Sequence, residues 1–139
     1  MEIADLVVIG AGLAGLSVAR GAAQAGLSVQ VLDKGRGIGG RLATRRAEGD
    51  LRFDHGAQYL RPRADGFAAL LEDAVRGGAA APWAAADGAH VGLPGMSAVP
   101  KFLAHGLDIT TGLRAGRMSR SGRAWELYDT EDRLVLRGR

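Results

Sequence analysis

The sequence predicts a mixed α/β fold, with a parallel strand–helix–strand unit first and antiparallel strands last. Three observations support it. The apolar run Leu6–Ile9 leads into a glycine-rich turn, a second apolar run ends at Asp33, and three short alternating segments follow Gly106. Apolar runs of this length, bounded by glycine, are typical of strands, and the first run is predicted to be a buried parallel strand. The stretch between the first two runs has the length of a helix.

The turn after the first strand reads Gly10-Ala11-Gly12-Leu13-Ala14-Gly15. In a dinucleotide-binding turn the first glycine closes the bend, the second leaves room for a pyrophosphate, and the third lets the following helix pack closely. The amides at the start of that helix then face the phosphates. The alternative is a tight turn without a ligand, since chance matches are easy in a chain with 22 glycines.

The helix is predicted over residues 13–25, with Gly26 ending it, and the second strand over residues 27–33. Asp33 stands at the carboxyl end of that strand, where an acidic side chain can accept hydrogen bonds from ribose hydroxyls. The strand before the glycines, the helix after them and the acid at its expected distance favour a Rossmann-like dinucleotide-binding unit over a ligand-free turn.

Residues 34–40 form a predicted loop with four glycines and the cations Lys34 and Arg36. One interpretation is a flexible surface loop. The other is a second phosphate cradle, in which backbone amides and the Arg41 guanidinium contact an anion. The position directly after the ribose-binding acid favours the cradle.

A hairpin is predicted over residues 41–56, with a turn at residues 48–50. His55 follows Asp54 and is either a general base or half of a hydrogen-bonded structural pair. No further acid–base partner is near in sequence, so the structural pair is favoured.

A core-facing amphipathic helix is predicted to begin at Asp65, as its cap, and to end at the glycine pair 77–78. Residues 79–87 are predicted to be irregular, with Trp83 as a packing anchor rather than a substrate platform. Residues 90–95 are predicted to be turn-rich and to lead into a short helix capped by Ser97. Strands over residues 107–118, 124–128 and 133–136 then form an antiparallel β meander.

Composition narrows the function. The net charge of +3 comes from scattered arginines without interleaved aromatic residues, which favours a phosphate-rich small ligand or a solvated surface over nucleic acid. The lack of cysteine excludes disulfides, thiolate zinc sites and cysteine nucleophiles. His90 and His105 have no ligand spacing, so no metal site is predicted. No apolar run is long enough for a membrane span, and a cytoplasmic protein is expected.

Several motifs together resemble a known family. They are the glycine turn, Asp33, the triplet Gly39-Gly40-Arg41 with Thr44 and Arg46 after it, and the stretch Gly56-Ala57-Gln58-Tyr59. The chain resembles the FAD-dependent oxidoreductases of the flavin amine oxidase superfamily, most of all their bacterial renalase-like branch. The stretch Leu93-Pro94-Gly95-Met96-Ser97 continues the likeness.

The resemblance implies a role for each matching position. The glycine turn would contact the FAD pyrophosphate, Asp33 the adenosine ribose, and Gly40 and Arg41 the diphosphate and ribityl chain. Gln58 and Tyr59 would approach the isoalloxazine ring. The adenine would bind backbone near Ala115, where relatives often carry valine. The predicted cofactor-binding set is Gly10, Gly12, Leu13, Ala14, Gly15, Asp33, Lys34, Gly40, Arg41, Gln58, Tyr59 and Ala115.

The implied activity is oxidation of dihydronicotinamide dinucleotides, with hydride passing to the flavin and electrons then to oxygen to give peroxide. The flavin carries this chemistry, and no catalytic residue is predicted. Two alternatives stay open. One is a flavoenzyme acting on an amine or a polyene. The other is a non-catalytic module that binds FAD or NAD. The expected partner is a small-molecule substrate, and the oligomeric state is left open.

The predicted organisation is a dinucleotide-binding unit and Gly-Gly-Arg loop over residues 1–60, a helical insertion over residues 61–106, and β strands over residues 107–139. Family relatives are more than twice as long. The sequence is therefore expected to be an incomplete, truncated flavoprotein fold without the C-terminal substrate half, leaving a sheet edge and apolar surface uncovered.

Overall fold

The computed structural model describes residues 2–139, which form two compact units. The first unit comprises the chain up to Gly40 together with Gly106–Arg139, and the second comprises Arg41–His105. None of the helices within residues 2–139 is long and apolar enough to cross a membrane.

The chain contains three helices and eleven strands within the described residues. In chain order they are β1 (Ile3–Ala4), β2 (Leu6–Ile9), α1 (Leu13–Gln24), β3 (Val29–Leu32), β4 (Thr44–Arg46), β5 (Arg52–Asp54), α2 (Asp65–Arg76), β6 (Ala80–Pro82), β7 (His90–Gly92), α3 (Ala98–Ala104), β8 (Asp108–Thr110), β9 (Ala115–Ser121), β10 (Ala124–Asp129) and β11 (Leu134–Gly138). A short 3-10 turn occupies Gly40–Leu42.

The first unit is built on a parallel sheet of strand order β2-β3-β8. Strands β2 and β3 pair in parallel, with Leu6 opposite Val29 and Ile9 opposite Leu32, and α1 connects them and packs on both. Gly26 ends the helix with φ +84°. The predicted strand–helix–strand unit is therefore confirmed. The second strand begins later than predicted because the Ser28 amide and hydroxyl bind the Asp5 carboxylate.

The predicted burial of the first strand is wrong. Strand β2 lies at the edge of its sheet, and Ile9 is 52% exposed. The buried strand is β3, whose Val31 and Leu32 are each 1% exposed. Because β3 has a partner on both sides and β2 has one on only one side within residues 2–139, the apolar run Leu6–Ile9 is left half covered.

The second sheet of this unit has the order β1-β11-β10-β9 and confirms the predicted meander. Strand β1, which the sequence did not predict, has two residues and pairs with β11 in parallel. The single strand predicted over residues 107–118 is wrong. It divides into β8 and β9, because Gly112 turns at φ +74° while its amide and that of Leu113 bind Gly35 and Asp33 carbonyls.

The turn between β10 and β11 depends on the buried carboxylate of Asp129. Its Oδ1 accepts hydrogen bonds from the amides of Glu131 and Arg133, both at 2.9 Å, and its Oδ2 accepts one from Arg133 Nε at 2.8 Å. The Arg133 backbone amide, followed by the Arg133 side chain and the Glu131 amide, lowers the pKa of Asp129 below its ordinary value.

This lowered pKa makes the turn acid-sensitive. A carboxyl group whose pKa is lower in the folded chain stabilises the fold above its unfolded pKa, and this stabilisation disappears as pH falls through the folded value. We expect Asp129→Asn to lower the unfolding temperature at about pH 7, with a gap to the parent that narrows as pH falls below the ordinary Asp pKa of about 3.9. Thermal unfolding followed by circular dichroism above and below this pH measures it. A gap that stays constant over this range would contradict the role of the charge.

The second unit contains two hairpins and two helices. Strands β4 and β5 pair in the predicted hairpin, with Thr44 opposite Asp54. Helix α2 buries Leu71 and Ala74, as its apolar spacing predicts, and packs against α3. A Cβ at Gly77 would lie 2.5 Å from the Phe102 ring, so this glycine permits the close contact between the end of α2 and α3.

Two local predictions in the second unit are wrong, and the predicted Ser97 cap is confirmed in position alone. The segments predicted to be irregular (residues 79–87) and turn-rich (residues 90–95) contain β6 and β7, which pair with each other. The region predicted as a helical insertion therefore also contains a small sheet. Asp65 is the first residue of α2, after Ala64 at the cap position. Ser97 stands at the cap of α3, but its side chain makes no cap hydrogen bond within the described chain. Cap side chains need extended backbone, and Ser97 is helical, with φ −64° and ψ −12°.

Candidate functional site

Different physical constraints require a glycine at the first and third glycine positions of the turn after β2. Gly10 has φ +107°, a conformation that side chains disfavour. A Cβ at Gly15 would lie 1.9 Å from the Gly10 carbonyl oxygen, so this position brings α1 onto β2. Backbone conformation and packing within the chain therefore explain both glycines, as expected for a dinucleotide-binding turn.

Gly12 has no such explanation within the described chain. Its φ of −84° and ψ of −178° suit any residue, and an added Cβ would meet only Gly40 Cα, at 4.0 Å. Gly12 is the N-cap residue of α1, whose first turn carries no acidic side chain. The open space beside Gly12 therefore adjoins helix amides that have no intrahelical acceptor, which is favourable for an anion.

The loop of residues 34–40 runs past this space. The Gly39 amide donates to the Ala11 carbonyl at 2.8 Å, and Gly39 bridges to Gly12. Gly39 and Gly40 have φ values of +120° and +53°, and a Cβ at Gly40 would lie 3.3 Å from Gly12 Cα. The structure thus brings the glycine turn and the second loop together in the first unit, as the cradle interpretation requires.

Asp33 has a role that the sequence did not reveal. Its Oδ2 accepts the Ala11 amide at 2.6 Å, and its Oδ1 accepts the Gly35 amide at 2.6 Å. One carboxylate therefore joins the glycine turn to the following loop. A carboxylate has about four acceptor positions, so capacity for ribose hydroxyls remains.

The other predicted residues of the first unit lie around Asp33. The Leu113 amide donates to the Asp33 carbonyl at 3.1 Å, which brings the start of β9 beside the end of β3. Ala115 packs there against the apolar cluster containing Leu32. Lys34 is exposed.

Arg41, Gln58 and Tyr59 belong to the second unit. The Arg41 carbonyl accepts the Ala57 amide at 2.8 Å, and a Cβ at Gly56 would lie 2.0 Å from that carbonyl oxygen. The stretch Gly56-Ala57-Gln58-Tyr59 is thus fixed on the backbone of Arg41. All three predicted side chains are exposed.

Trp83 packs as predicted, whereas His55 does not pair as predicted. Trp83 stacks on Tyr59, with ring centroids 5.7 Å apart, and stays 37% exposed, so its packing partner is a predicted site residue. The predicted pair of His55 with Asp54 is wrong. Asp54 Oδ1 instead accepts the Thr44 hydroxyl at 2.6 Å and the Met96 amide at 3.1 Å, and His55 is exposed.

Comparison with known proteins agrees with this geometry. The model of the NAD(P)-binding Rossmann-like domain family matches residues 8–74. Residues 8–74 are thus similar to this domain family, and the chain contains a Rossmann-like parallel sheet. The match begins within β2 and includes the glycine turn, Asp33 and the loop of residues 34–40.

Solved structures with a similar fold are flavoprotein monooxygenases and an amine oxidase. A double mutant of putrescine oxidase gives a TM-score of 0.73 at 15% identity, over 98% of this chain and 56% of its own. OTEMO in complex with FAD and NADP gives 0.63 at 23% identity, over 95% of this chain and 23% of its own. A mutant flavin monooxygenase from Stenotrophomonas maltophilia gives a TM-score of 0.56 at 23% identity, over 100% of this chain and 37% of its own.

These likenesses concern the fold. This chain spans between about a quarter and just over half of the length of the three structures, so its Rossmann-like domain and antiparallel strands correspond to one part of larger flavoprotein folds.

Proposed function

We propose that this chain is the FAD-binding portion of an oxidoreductase, with the FAD pyrophosphate beside Gly12 at the start of α1. The observation that carries the proposal is the open space at Gly12, a glycine that neither backbone conformation nor packing requires. A pyrophosphate fits this place because it needs close backbone approach and unpaired helix amides, and the turn offers both.

Each residue of the cradle has a distinct task in this proposal. The first-turn amides of α1 bind phosphate oxygens, Asp33 accepts the ribose hydroxyls, and the Gly40 backbone follows the diphosphate. The backbone near Ala115 binds the adenine. Arg41, Gln58 and Tyr59 are assigned to the ribityl and flavin part of FAD, an assignment supported by the Gly-Gly-Arg and Gly-Ala-Gln-Tyr motifs. The bound flavin would supply the redox chemistry.

The finer proposal is a renalase-like oxidase that acts on a dihydronicotinamide dinucleotide in the cytoplasm, with oxygen as the electron acceptor. It is supported by the motifs that resemble that branch of the flavin amine oxidase superfamily. The similarity of fold to putrescine oxidase supports the wider superfamily and keeps an amine substrate as the second candidate.

The visible absorbance spectrum of the purified chain tests the proposal, followed by release and identification of any cofactor. We expect a flavin spectrum either as purified or after addition of FAD. Oxidation of dihydronicotinamide dinucleotides, followed by peroxide release, then tests the finer proposal against amine oxidation. A chain that is colourless after excess FAD has been added and the unbound FAD removed, while circular dichroism shows it folded, would contradict FAD binding.

Asp33→Asn is expected to weaken FAD binding by about 1–3 kcal/mol, because a charge-assisted hydrogen bond to ribose is lost. The substitution also sets an amide donor against the Ala11 or Gly35 amide, so a modest fall in unfolding temperature is expected. Fluorescence titration with FAD measures the affinity. Asp108→Asn, an equal change of charge on the same parallel sheet, is the control and should leave the affinity unchanged. Equal affinities in the two variants would show that Asp33 does not contact the ribose.

A further inference from the structure

A cleft within the second unit carries positive charge that has no part in the proposed function. It lies between the hairpin β4–β5 and the start of α3 and has a volume of about 100 Å³. We call it the cationic cleft. The residues important for the argument are Thr44, Arg46, Arg52, Gly95, Ser97 and Lys101.

The three cations of the cleft have no counter-ion in the described chain. Arg46, Arg52 and Lys101 line the cleft, no acidic side chain lines it, and none of the three forms an ion pair within residues 2–139. Some arginines elsewhere in the chain do form ion pairs, as Arg137 does with Glu126 at 3.0 Å. The cleft therefore has an excess of positive charge that an anion would neutralise.

The register of the hairpin places two of these charges face to face. Arg46 on β4 is directly opposite Arg52 on β5. Like charges directly opposite in an antiparallel pair destabilise it. An anion bound between them would turn this repulsion into two favourable contacts, and arginine suits a forked contact with phosphate.

The uncharged part of the cleft is fixed before any ligand arrives. Thr44 Oγ1 donates to Asp54 Oδ1 at 2.6 Å and accepts the Ser97 amide at 3.1 Å. A Cβ at Gly95 would lie 3.0 Å from Thr44 Oγ1, so a glycine is needed for this close contact. The Ser97 hydroxyl, which does not cap α3, remains as a donor beside the cations. Asp54 does not line the cleft, and its Oδ1 is engaged by Thr44 and the Met96 amide.

We propose that the cationic cleft binds the phosphate group of a small-molecule phosphate ester, at a site separate from the pyrophosphate cradle. Arg46, Arg52 and Lys101 supply the charge, and the Ser97 hydroxyl supplies a neutral hydrogen bond. The small volume suits one phosphate group, with the remainder of the ester outside the cleft.

The test is a titration of the chain with inorganic phosphate at low salt, followed by NMR at the amides of Gly95 and Ser97. We expect a saturable shift. Arg52→Gln should weaken the affinity about tenfold or more, since a hydrogen bond between charged groups is lost. Arg45→Gln is the matched control. Arg45 lies on the same strand, faces the opposite side because successive side chains alternate, and forms no ion pair within residues 2–139, so its variant should bind like the parent.

Three results would overturn the proposal. They are a shift that does not saturate, an equal shift from sodium chloride at the same ionic strength, and an equal loss of affinity in Arg45→Gln and Arg52→Gln. The variant Gly12→Val separates this test from that of FAD binding. It should retain the phosphate response of the cleft even where it removes the FAD site.

A stability measurement checks the same site independently. Arg52→Glu places opposite charges across the hairpin, so the unfolding temperature in phosphate-free buffer should rise, and added phosphate should no longer raise it further. A variant whose unfolding temperature still rises with phosphate as much as that of the parent would contradict the site.

Discussion

Gly12→Val should abolish FAD binding while the unfolding temperature stays close to that of the parent. The backbone at Gly12 is extended, a conformation that valine adopts readily, and the first side-chain carbon would meet only Gly40 Cα at 4.0 Å. The same carbon and its two methyl groups would occupy the space assigned to the pyrophosphate. Flavin absorbance of the protein after addition of FAD and removal of the unbound FAD, with thermal unfolding of the same sample, measures both effects.

Gly12→Ala refines this experiment, because it adds the smallest side chain and meets no close neighbour in the described chain. We expect it to weaken FAD binding less than valine does, in proportion to the space that is filled. A valine variant with the affinity of the parent would show that the phosphates bind elsewhere, and the assignment of the glycine turn would be withdrawn.

Gly15→Ala should lower the stability of the first unit by about 3 kcal/mol or more. Its Cβ would lie 1.9 Å from the Gly10 carbonyl oxygen and 3.2 Å from Val8 Cγ1, so α1 and β2 must separate. Backbone atoms cannot move aside as the end of a flexible side chain can. Urea unfolding followed by circular dichroism measures the loss.

Gly21→Ala is the control for this loss, since Gly21 lies in the same helix and its Cβ would have no neighbour within 4 Å. Alanine there should raise the stability by up to about 1 kcal/mol, through helix propensity. If both variants unfold at the same urea concentration as the parent, the close contact of α1 with β2 is not a determinant of the fold.

The strand–helix–strand unit could be predicted because each of its signals is local. The apolar run, the glycine spacing and Gly26 depend on neighbours in sequence, and the structure keeps all of them. The amphipathic helix α2 is a similar case. Its apolar spacing already defines the face that buries Leu71 and Ala74.

The features that the sequence missed depend on contacts between distant residues. The break between β8 and β9 occurs where Gly112 and Leu113 bind backbone of the loop after β3. The edge position of β2 depends on which strands pair with β3. The bonds of Asp33 to the Ala11 amide, and of Asp54 to the Thr44 hydroxyl and the Met96 amide, join side chains to groups that no sequence spacing indicates.

The bonds of Asp33 also have a kinetic and entropic consequence. The loop of residues 34–40 is held by Asp33 at Gly35, by the Gly35 carbonyl at Gly112 and by Gly39 at Ala11. Ordering a free backbone costs about 1–2 kcal/mol per residue, and in this loop most of that cost is met during folding. At the proposed site a dinucleotide would therefore meet a preorganised receptor. Its association would require no slow closure of this loop, and its affinity would be set mainly by how long the phosphates remain bound.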